Sequence, residues 1–522
     1  MKWFKWGLLI VIVILAAGLR FYKLDQVPPS LNWDEVAAGY NAYTIANWGA
    51  DEFGNKFPIV FKSFGDDKHP VHIYITALVV KIFGLSDFST RASSAGIGVL
   101  SVIVIYFLAR ELLKSNIAGL FSALFLTVSP YAIHYSRGLW EANFALFFFL
   151  VGLLAFYIGI KKKDWLVPVS FALFGISFFS YHSAKVVVPP IVLILILIHF
   201  RKIVARKRIV IWSIVVALIF GGLIIKEPKI LGFARMSQTK FSATETQKYG
   251  GIVPMYWSNY KKYFSYDYLF QIGDQSPRGS VKVIGEFYKI DLVLSLIGIV
   301  ALIMRKKWQA LMLIFTWLTL SPIPGAMSAT DPSATRGIFM LGPVLLLSAA
   351  GAAFLLTLVK HTWIKIGLIF TILLFLGIET GHYINYYFTT YSQKDAIEWQ
   401  YGMKQIVDFI KTHPKYHTVY MDKIRQQPYI FFLYYLKTPL SELLKTVKYD
   451  ETEAKSYNTV VSFGKYHFGD WNIIDSYPTD GVSYVITPSY YGGLKYLSQF
   501  TVDQLIRYPD KSDAFYIISG IQ

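Results

Sequence analysis

The chain has 522 residues, of which 54% are hydrophobic, and it carries a formal net charge of +18 without any cysteine. A mean hydropathy of +0.43 exceeds that of soluble domains, so most of the chain is expected to lie in a bilayer. The missing cysteines exclude disulfides and thiolate chemistry. Many of the cations lie in short loops between apolar runs, as the positive-inside bias requires, so we expect no nucleic-acid partner.

The first apolar run, 3–19, contains Lys5 and follows Lys2. It fits a cleaved signal peptide, with the small residues at 16–18 as a weak cleavage region, or an uncleaved first helix. We favour the uncleaved helix, because a long chain of further apolar runs follows.

Apolar runs recur as far as residue 384 and predict an α-helical polytopic membrane protein with about eleven transmembrane helices. The predicted spans are 3–19, 92–109, 117–130, 143–160, 165–181, 186–199, 209–225, 289–304, 309–321, 338–359 and 366–384. Counting 72–84 as a crossing would place five basic clusters outside, whereas leaving it out places them all in the cytoplasm with the N-terminus. We therefore predict that 72–84 is an interfacial or re-entrant helix on the outer face.

The tail from residue 385 reads as a soluble α/β domain, with three predicted strands and two predicted helices. The strands are 418–421, 482–486 and 514–518, and the helices are 394–412 and 428–436. The predicted division is a transmembrane domain over 1–384 and an extracytoplasmic α/β domain over 385–522, in a multi-pass plasma-membrane protein. The short cytoplasmic loops hold no P-loop motif, which argues against a cytosolic ATP motor.

The first outer loop carries two groups suited to chemistry on a charged substrate, Trp33-Asp34-Glu35 and Asp66-Asp67-Lys68-His69-Pro70. Asp34 suits a general base for an acceptor hydroxyl, or it caps the helix that follows. Glu35 is a second candidate carboxylate, with a first-turn helix acid as the alternative. Lys68 suits a phosphate ligand or a lysine that reaches the head groups.

The later outer loops add further cations and acids. Arg137 suits a bidentate phosphate ligand or a partner of Glu141, and Arg336 suits a lipid-phosphate ligand or a partner of Asp331. Lys185 is a further candidate for the donor phosphate, and Asp67 and His69 of the first loop, with Glu141 and His182, are candidates for contacts with the acceptor or with the catalytic groups. The aromatic loop 226–288 fits sugar faces, acyl chains or the interfacial belt, with the belt favoured. No metal-ligand spacing is diagnostic, so no cofactor is assigned and a divalent cation stays open.

The order of several short motifs resembles a known superfamily. The motifs are Trp33-Asp34-Glu35, Lys68-His69-Pro70, the segment 90–96 opening a span, Ser129-Pro130, Tyr135-Ser136-Arg137 and Glu141-Ala142-Asn143. The pattern resembles the GT-C glycosyltransferases that use lipid-phosphate sugars, above all protein O-mannosyltransferases and the transferases that add aminoarabinose to lipid A. The resemblance is best over 1–160 and extends to about residue 384.

The resemblance implies inverting transfer of a sugar from a polyprenyl-phosphate donor to a glycan, lipid or protein acceptor on the outer face. Asp34 would match the catalytic acid of the first outer loop, Lys68 a ligand of the donor phosphate, and Arg137 the arginine of the second outer loop. The chain departs from the pattern where His69-Pro70 replaces a double proline. Glu141 or Asn143 also stands where an aspartate is often found.

The sequence leaves two other functions open. A ligase or polymerase of lipid-linked glycans would use a diphosphate-linked donor. A transporter would concentrate ionisable residues at mid-membrane depth and show duplicated halves, whereas the acids of this chain cluster in the predicted outer loops.

Overall fold

A computed structural model describes residues 2–64, 67–232, 243–328, 331–423, 427–450, 459–470 and 478–521, so Asp66 of the first loop lies outside the described residues. The chain divides into two compact units. The helical unit comprises Met1–Tyr22, His69–His72 and Ser94–Tyr386. The mixed unit comprises Lys23–Lys68, Ile73–Ser93 and Tyr387–Gln522.

The helical unit is built almost wholly from long apolar helices, two of which, α3 and α4, continue into segments of the mixed unit. Helix α2 belongs to the mixed unit and is included here to keep the numbering in chain order. The helices are α1 Lys2–Phe21, α2 Trp33–Trp48, α3 Pro70–Phe83, α4 Asp87–Leu113, α5 Asn116–Val128, α6 Pro130–Arg137, α7 Glu141–Gly159, α8 Leu166–Phe178, α9 His182–Val204, α10 Lys207–Lys226, α11 Ala243–Lys248, α12 Ile252–Lys262, α13 Lys289–Met304, α14 Trp308–Leu320, α15 Ile323–Ala326, α16 Leu341–Leu358 and α17 Thr362–Tyr386.

Seven helices in the described chain are long and apolar enough to cross a membrane, or eight if the pair α5 and α6, bent by 56°, forms one span. Each of the eleven predicted spans coincides with a helix. The protein is therefore a multi-pass membrane protein, while the number of crossings and the outer-face position of α3 stay predictions. In hydrocarbon a helix is favoured because all its backbone groups bond within the segment.

Helices α13 and α16 pack closely through glycine. A Cβ atom at Gly298 would lie 2.0 Å from the carbonyl oxygen of Leu347, and one at Gly351 would lie 2.0 Å from that of Leu294. The two backbones approach this closely because neither position carries a side chain, as is common between membrane helices.

Within its described residues, the tail forms a seven-stranded sheet in the order β2-β3-β4-β1-β5-β7-β6. Its strands are β1 Thr418–Asp422, β2 Lys448–Tyr449, β3 Val460–Phe463, β4 Tyr466–Gly469, β5 Val482–Ile486, β6 Phe500–Arg507 and β7 Asp513–Gly520. Its helices are α18 Ser392–Lys394, α19 Met403–Thr412, α20 Tyr429–Leu436, α21 Leu440–Thr446 and α22 Pro488–Gly492. Strand β1 runs parallel to β4 and β5, and the remaining pairs are antiparallel.

The predicted α/β tail is confirmed, and each of its three predicted strands coincides with an observed one. The helix predicted over 394–412 is wrong as one element, because turns separate α18 from α19. Gly402 precedes α19 with a φ of +105°, a conformation that side-chain-bearing residues rarely adopt. A Cβ atom there would also lie 2.9 Å from the ring of Phe515.

The predicted first outer loop belongs to the same unit as the tail. The Tyr40 hydroxyl donates to the Thr438 carbonyl at 2.8 Å, and the Thr90 and Tyr434 hydroxyls lie 2.6 Å apart. Gly39 lets α2 approach Tyr434, since a Cβ atom there would lie 2.7 Å from that ring. The domain boundary at residue 384 stays a prediction, and the structure groups 23–68 and 73–93 with the tail.

Candidate active site

Helix α2 begins with a capping box, and Asp34 is the second residue of the helix. Asn32 is the N-cap, and its side chain accepts from the backbone N–H groups of Asp34 at 2.9 Å and Glu35 at 3.1 Å. The Glu35 carboxylate accepts in return from the Asn32 backbone N–H at 3.1 Å. The alternative that made Asp34 the cap is therefore wrong, because the neighbouring asparagine already performs that role.

Asp34 and Lys68 form an ion pair in the mixed unit. Lys68 Nζ lies 3.0 Å from Asp34 Oδ1, and the two side chains are 17% and 31% exposed. Two backbone hydrogen bonds to Phe61, of 2.8 and 3.0 Å, fix the position of Lys68. Because a partly exposed pair of this kind contributes little stability, its two charges can be redirected to a substrate at low cost.

Glu35 lies in a very different environment. It is 1% exposed, and it accepts from Nε of Arg91 at 2.9 Å and from Nη2 at 3.0 Å. Arg91 is fully buried and also donates to carbonyls of the loop before α2, which are those of Leu24, Pro28 and Ser30. The catalytic role of Glu35 stays a prediction, and these contacts favour a role in holding the start of α2.

A second group of titratable side chains, the histidine cluster, lies in the helical unit and consists of His69, His72, Glu141, His182 and Lys185. Glu141, the first residue of α7, lies 3.4 Å from His69 Nδ1 and 3.8 Å from His72 Nε2. The His69 ring meets the His182 ring edge-on at 4.4 Å, and Lys185 Nζ lies 3.1 Å from His182 Nδ1. The cluster thus unites four predicted candidates.

His72 belongs to this cluster although sequence reasoning had not selected it. Its spacing of three residues from His69, across the start of α3, places both rings near one helix face and is the signal that was available. Both histidines are 2% exposed.

The predicted phosphate ligand Arg137 is fully buried at the end of α6. Its Nη1 donates to the carbonyls of Leu19 at 2.9 Å and Arg20 at 3.2 Å, at the end of α1. Arg20 is also fully buried and donates to the carbonyls of Leu126 and Thr127 at the end of α5, at 3.0 and 3.1 Å. Cations are stabilised by helix C-termini, so these arginines join three helix ends.

Arg336 lies on a loop that several segments of the helical unit hold in place. Its backbone carbonyl accepts from Ser183 at 2.9 Å, and its guanidinium donates to the Ser328 hydroxyl. The neighbouring Ala334 N–H donates to Asp274 at 2.7 Å. Asp331, weighed as a partner of Arg336, pairs with Lys262 at 2.8 Å.

Asp67 is half-buried. In the aromatic loop, Tyr263 and Tyr268 are 1% and 4% exposed, whereas Trp257 is 52% exposed, so this loop supplies core rings as well as surface ones. Within the described parts of the chain, no group of three or more histidines and acids is arranged to hold a metal ion.

Comparisons with known proteins agree with the resemblance. The family model for dolichyl-phosphate-mannose-protein mannosyltransferase matches residues 67–224. A curated protein of Bacillus subtilis (strain 168), "Putative mannosyltransferase YycA", is 29% identical over 191 residues, which are 35% of this chain and 26% of that protein. The matched region thus spans about a quarter of the length of that relative.

Two solved structures share the fold. ArnT from Cupriavidus metallidurans bound to undecaprenyl phosphate aligns with a TM-score of 0.62 at 11% identity, covering 99% of this chain and 98% of that one. The archaeal oligosaccharyltransferase AglB from Archaeoglobus fulgidus, in complex with an inhibitory peptide and a dolichol-phosphate, aligns with a TM-score of 0.51 at 12% identity, covering 84% and 64%.

The helical membrane unit and the sheet-containing tail therefore define a protein of the GT-C fold. Within that fold, residues 67–224 are similar to the mannosyltransferase family model.

Proposed function

We propose that the protein transfers a sugar, with inversion at the anomeric carbon, from a polyprenyl-phosphate donor to an acceptor hydroxyl on the extracytoplasmic face. The observation that carries this proposal is the partly exposed pair Asp34–Lys68, with its 3.0 Å separation, on a GT-C scaffold. One partner supplies a base for the acceptor, and the other supplies a positive charge for the leaving phosphate.

The reaction needs one bond to form and one to break. The acceptor oxygen forms a bond to the anomeric carbon while its proton passes to the Asp34 carboxylate. The bond from the anomeric carbon to the phosphate oxygen breaks, and the polyprenyl phosphate leaves with the electron pair. Lys68 offsets the charge that develops on that oxygen. Attack from the face opposite the phosphate inverts the configuration.

The helical unit supplies further candidates for the lipid phosphate. Arg336 and Lys185 are half-buried cations on well-supported segments, so we assign them to phosphate binding. The guanidinium of Arg137 already donates to two carbonyls, and we therefore assign it to positioning the end of α1. Glu141 holds His69 and His72, and we propose that the histidine cluster serves the sugar or the acceptor rather than the lipid tail.

Orientation follows from the loop charges. The N-terminus and the basic loops would face the cytoplasm, and the tail would lie outside the plasma membrane. That placement suits a polyprenyl-phosphate sugar presented in the outer leaflet and an acceptor that is a glycan, a lipid or a protein of the cell envelope.

Transfer by the purified protein tests the proposal. Radiolabelled polyprenyl-phosphate sugars are supplied with cell-envelope extract as the acceptor, and labelled product is counted. Asp34→Asn is expected to lower turnover by about 10²–10⁴-fold, the contribution of a general base, at an unchanged melting temperature. Asp25→Asn changes an exposed acid of the same loop and serves as the control. Turnover that survives in Asp34→Asn contradicts the assignment of the base.

A competition experiment separates the ligase alternative. Unlabelled diphosphate-linked oligosaccharide is added in excess to the same reaction. The proposal expects labelled transfer to continue, because the proposed donor carries a monophosphate rather than a diphosphate. If the competitor abolishes labelled transfer and is itself consumed, the result favours a glycan ligase.

A further inference from the structure

A small polar pocket opens at one end of the sheet in the mixed unit, away from any predicted site residue in the sequence. Its volume is about 220 Å³. The segments before β1 and β5, the start of β6 and the end of β7 form its walls. These meet because β5 runs parallel to β1, while β7 is antiparallel to β5 and β6 is antiparallel to β7. The pocket therefore follows from the strand order and not from one local motif.

The lining is hydroxyl- and carboxylate-rich. Tyr416, Thr501 and Ser519 supply hydroxyls, and Asp480 and Asp503 supply carboxylates opposite a single ammonium, that of Lys415. The formal charge is therefore negative, which disfavours phosphate and other anions. Groups that both donate and accept at short range are what the vicinal hydroxyls of a sugar ring require.

Two buried polar atoms of this lining, the Tyr416 hydroxyl and Oδ2 of Asp503, make no hydrogen bond of good geometry within the described residues. Tyr416 is 2% exposed, and its hydroxyl interacts with the side chains of Asp503 and Ser519 in the same lining. Burial, and then the nearby Asp503 carboxylate, raise the pKa of Tyr416 to about 12, so its hydroxyl is a donor at neutral pH. Buried polar groups of this kind are normally satisfied, by protein, water or ligand.

The walls are fixed before any ligand arrives. Lys465 Nζ donates to the Tyr416 carbonyl at 2.7 Å, and the His417 ring lies 3.0 Å from the Asp480 carbonyl through Nε2. Gly481 has a φ of +69°, and a Cβ atom there would lie 2.3 Å from the His417 ring. Glycine is therefore needed at this point of the wall.

From these observations we propose that the pocket binds one saccharide unit, with Asp503, Tyr416 and Thr501 bonding its hydroxyl groups. The volume lies below the roughly 300–1,000 Å³ of sites for drug-sized ligands, so it suits a single ring. The Lys415 ammonium lies 5.1 Å from the centre of the Tyr416 ring, which leaves hydroxyl recognition rather than ring stacking as the main contact.

Saturation-transfer NMR on the full chain in lipid nanodiscs tests this inference. Nanodiscs are required because the head groups of maltoside detergents are glycosides, like the probes, and would compete with them. The probes are the methyl glycosides of glucose, galactose and mannose, with lysine methyl ester as a cationic probe and inorganic phosphate as an anionic one. At least one glycoside is expected to bind, and the two charged probes are not.

The variants locate the binding. Asp503→Asn is expected to weaken glycoside binding at least tenfold, and Thr501→Ala, at an exposed position, provides a second variant with little effect on folding. Asp408→Asn, an exposed acid on α19, is the control and is expected to bind normally. Binding should also persist in Asp34→Asn, which separates this pocket from the proposed transferase site.

Four results would overturn the proposal. These are no binding of any glycoside, binding that both Asp503→Asn and Thr501→Ala leave unchanged, binding that is lost in Asp34→Asn, and preferential binding of lysine methyl ester. Because binding is measured without turnover, none of them contradicts the proposed transfer reaction.

Discussion

Replacing Glu35 with glutamine is expected to destabilise the mixed unit rather than to remove a catalytic group. The Glu35 carboxylate is 1% exposed and accepts two hydrogen bonds, of 2.9 and 3.0 Å, from the fully buried Arg91. Glutamine keeps the shape of the side chain but removes its charge. The guanidinium of Arg91 would then lie in the interior without its counter-ion.

The size of the effect follows from this geometry. Breaking a buried ion pair by removing one partner typically costs about 3–5 kcal/mol, because the remaining charge stays desolvated. Arg91 keeps three carbonyl acceptors, which offset part of that cost. We therefore expect a loss of about 3 kcal/mol, at the lower end of the range. The capping box is affected as well, since Glu35 also accepts from the Asn32 backbone.

Thermal unfolding in nanodiscs, followed by tryptophan fluorescence, measures this change, and turnover of the labelled donor at low temperature measures activity. Glu35→Gln is expected to lower the melting temperature by several degrees and to reduce turnover per folded molecule by less than the roughly 10²-fold that loss of a base would produce. Glu398→Gln, which changes an exposed acid of the same unit, should alter the free energy of unfolding by no more than about 0.5 kcal/mol and should leave turnover unchanged.

Two further outcomes decide between a structural and a catalytic role for Glu35. Adding Arg91→Met to Glu35→Gln removes the isolated charge and should restore part of the lost stability. A Glu35→Gln protein with an unchanged melting temperature and a turnover loss beyond 100-fold would refute the structural role and return Glu35 to the chemistry.

Three more variants test other parts of the molecule. Lys68→Met should lower kcat/KM for the donor by about 10²-fold, with partial rescue by Lys68→Arg, and a variant with normal kcat/KM would exclude Lys68 from phosphate binding. Burial, then the neighbouring Asp51, raise the pKa of Glu52 from 4.5 to about 8, so its stabilising contribution is complete below pH 4.5 and is lost as the pH rises through 8. Wild-type protein should therefore lose about 3 kcal/mol between pH 5.5 and 9 through this group, and Glu52→Gln should show a flatter melting profile over that window. Gly298→Ala should cost about 1–3 kcal/mol in thermal stability because its methyl group meets the Leu347 backbone, whereas Gly367→Ala, with open space around it, should not.

Local patterns predicted the membrane helices and three of the seven strands described in the tail, but not β2, β3, β4 or β6. Each predicted span coincides with a helix, because a long apolar run in lipid can satisfy its backbone groups only within itself. The run 482–486, rich in β-branched and aromatic residues, likewise predicted β5. The helix over 394–412 failed, because the turn before α19 depends on the unusual conformation of Gly402 and on its contact with Phe515.

The candidate residues followed from sequence, but their partners did not. Asp34 and Lys68 stood out as charges in one predicted outer loop, and the structure joins them at 3.0 Å. Sequence reasoning overlooked Asn32 as the cap of α2, although asparagine is a preferred cap residue, and it overlooked His72 three residues from His69. Both signals were local and could have been read.

The sequence by itself determined the membrane class, the α/β tail and the set of charged side chains available for chemistry, because composition and short-range periodicity carry that information. Only the tertiary structure decided that Glu35 binds Arg91, that the predicted first outer loop belongs to the same unit as the tail, and that four segments at one end of the sheet line a polar pocket. These outcomes join residues far apart in the chain. They depend on strand order and on side-chain direction, for which no local pattern exists.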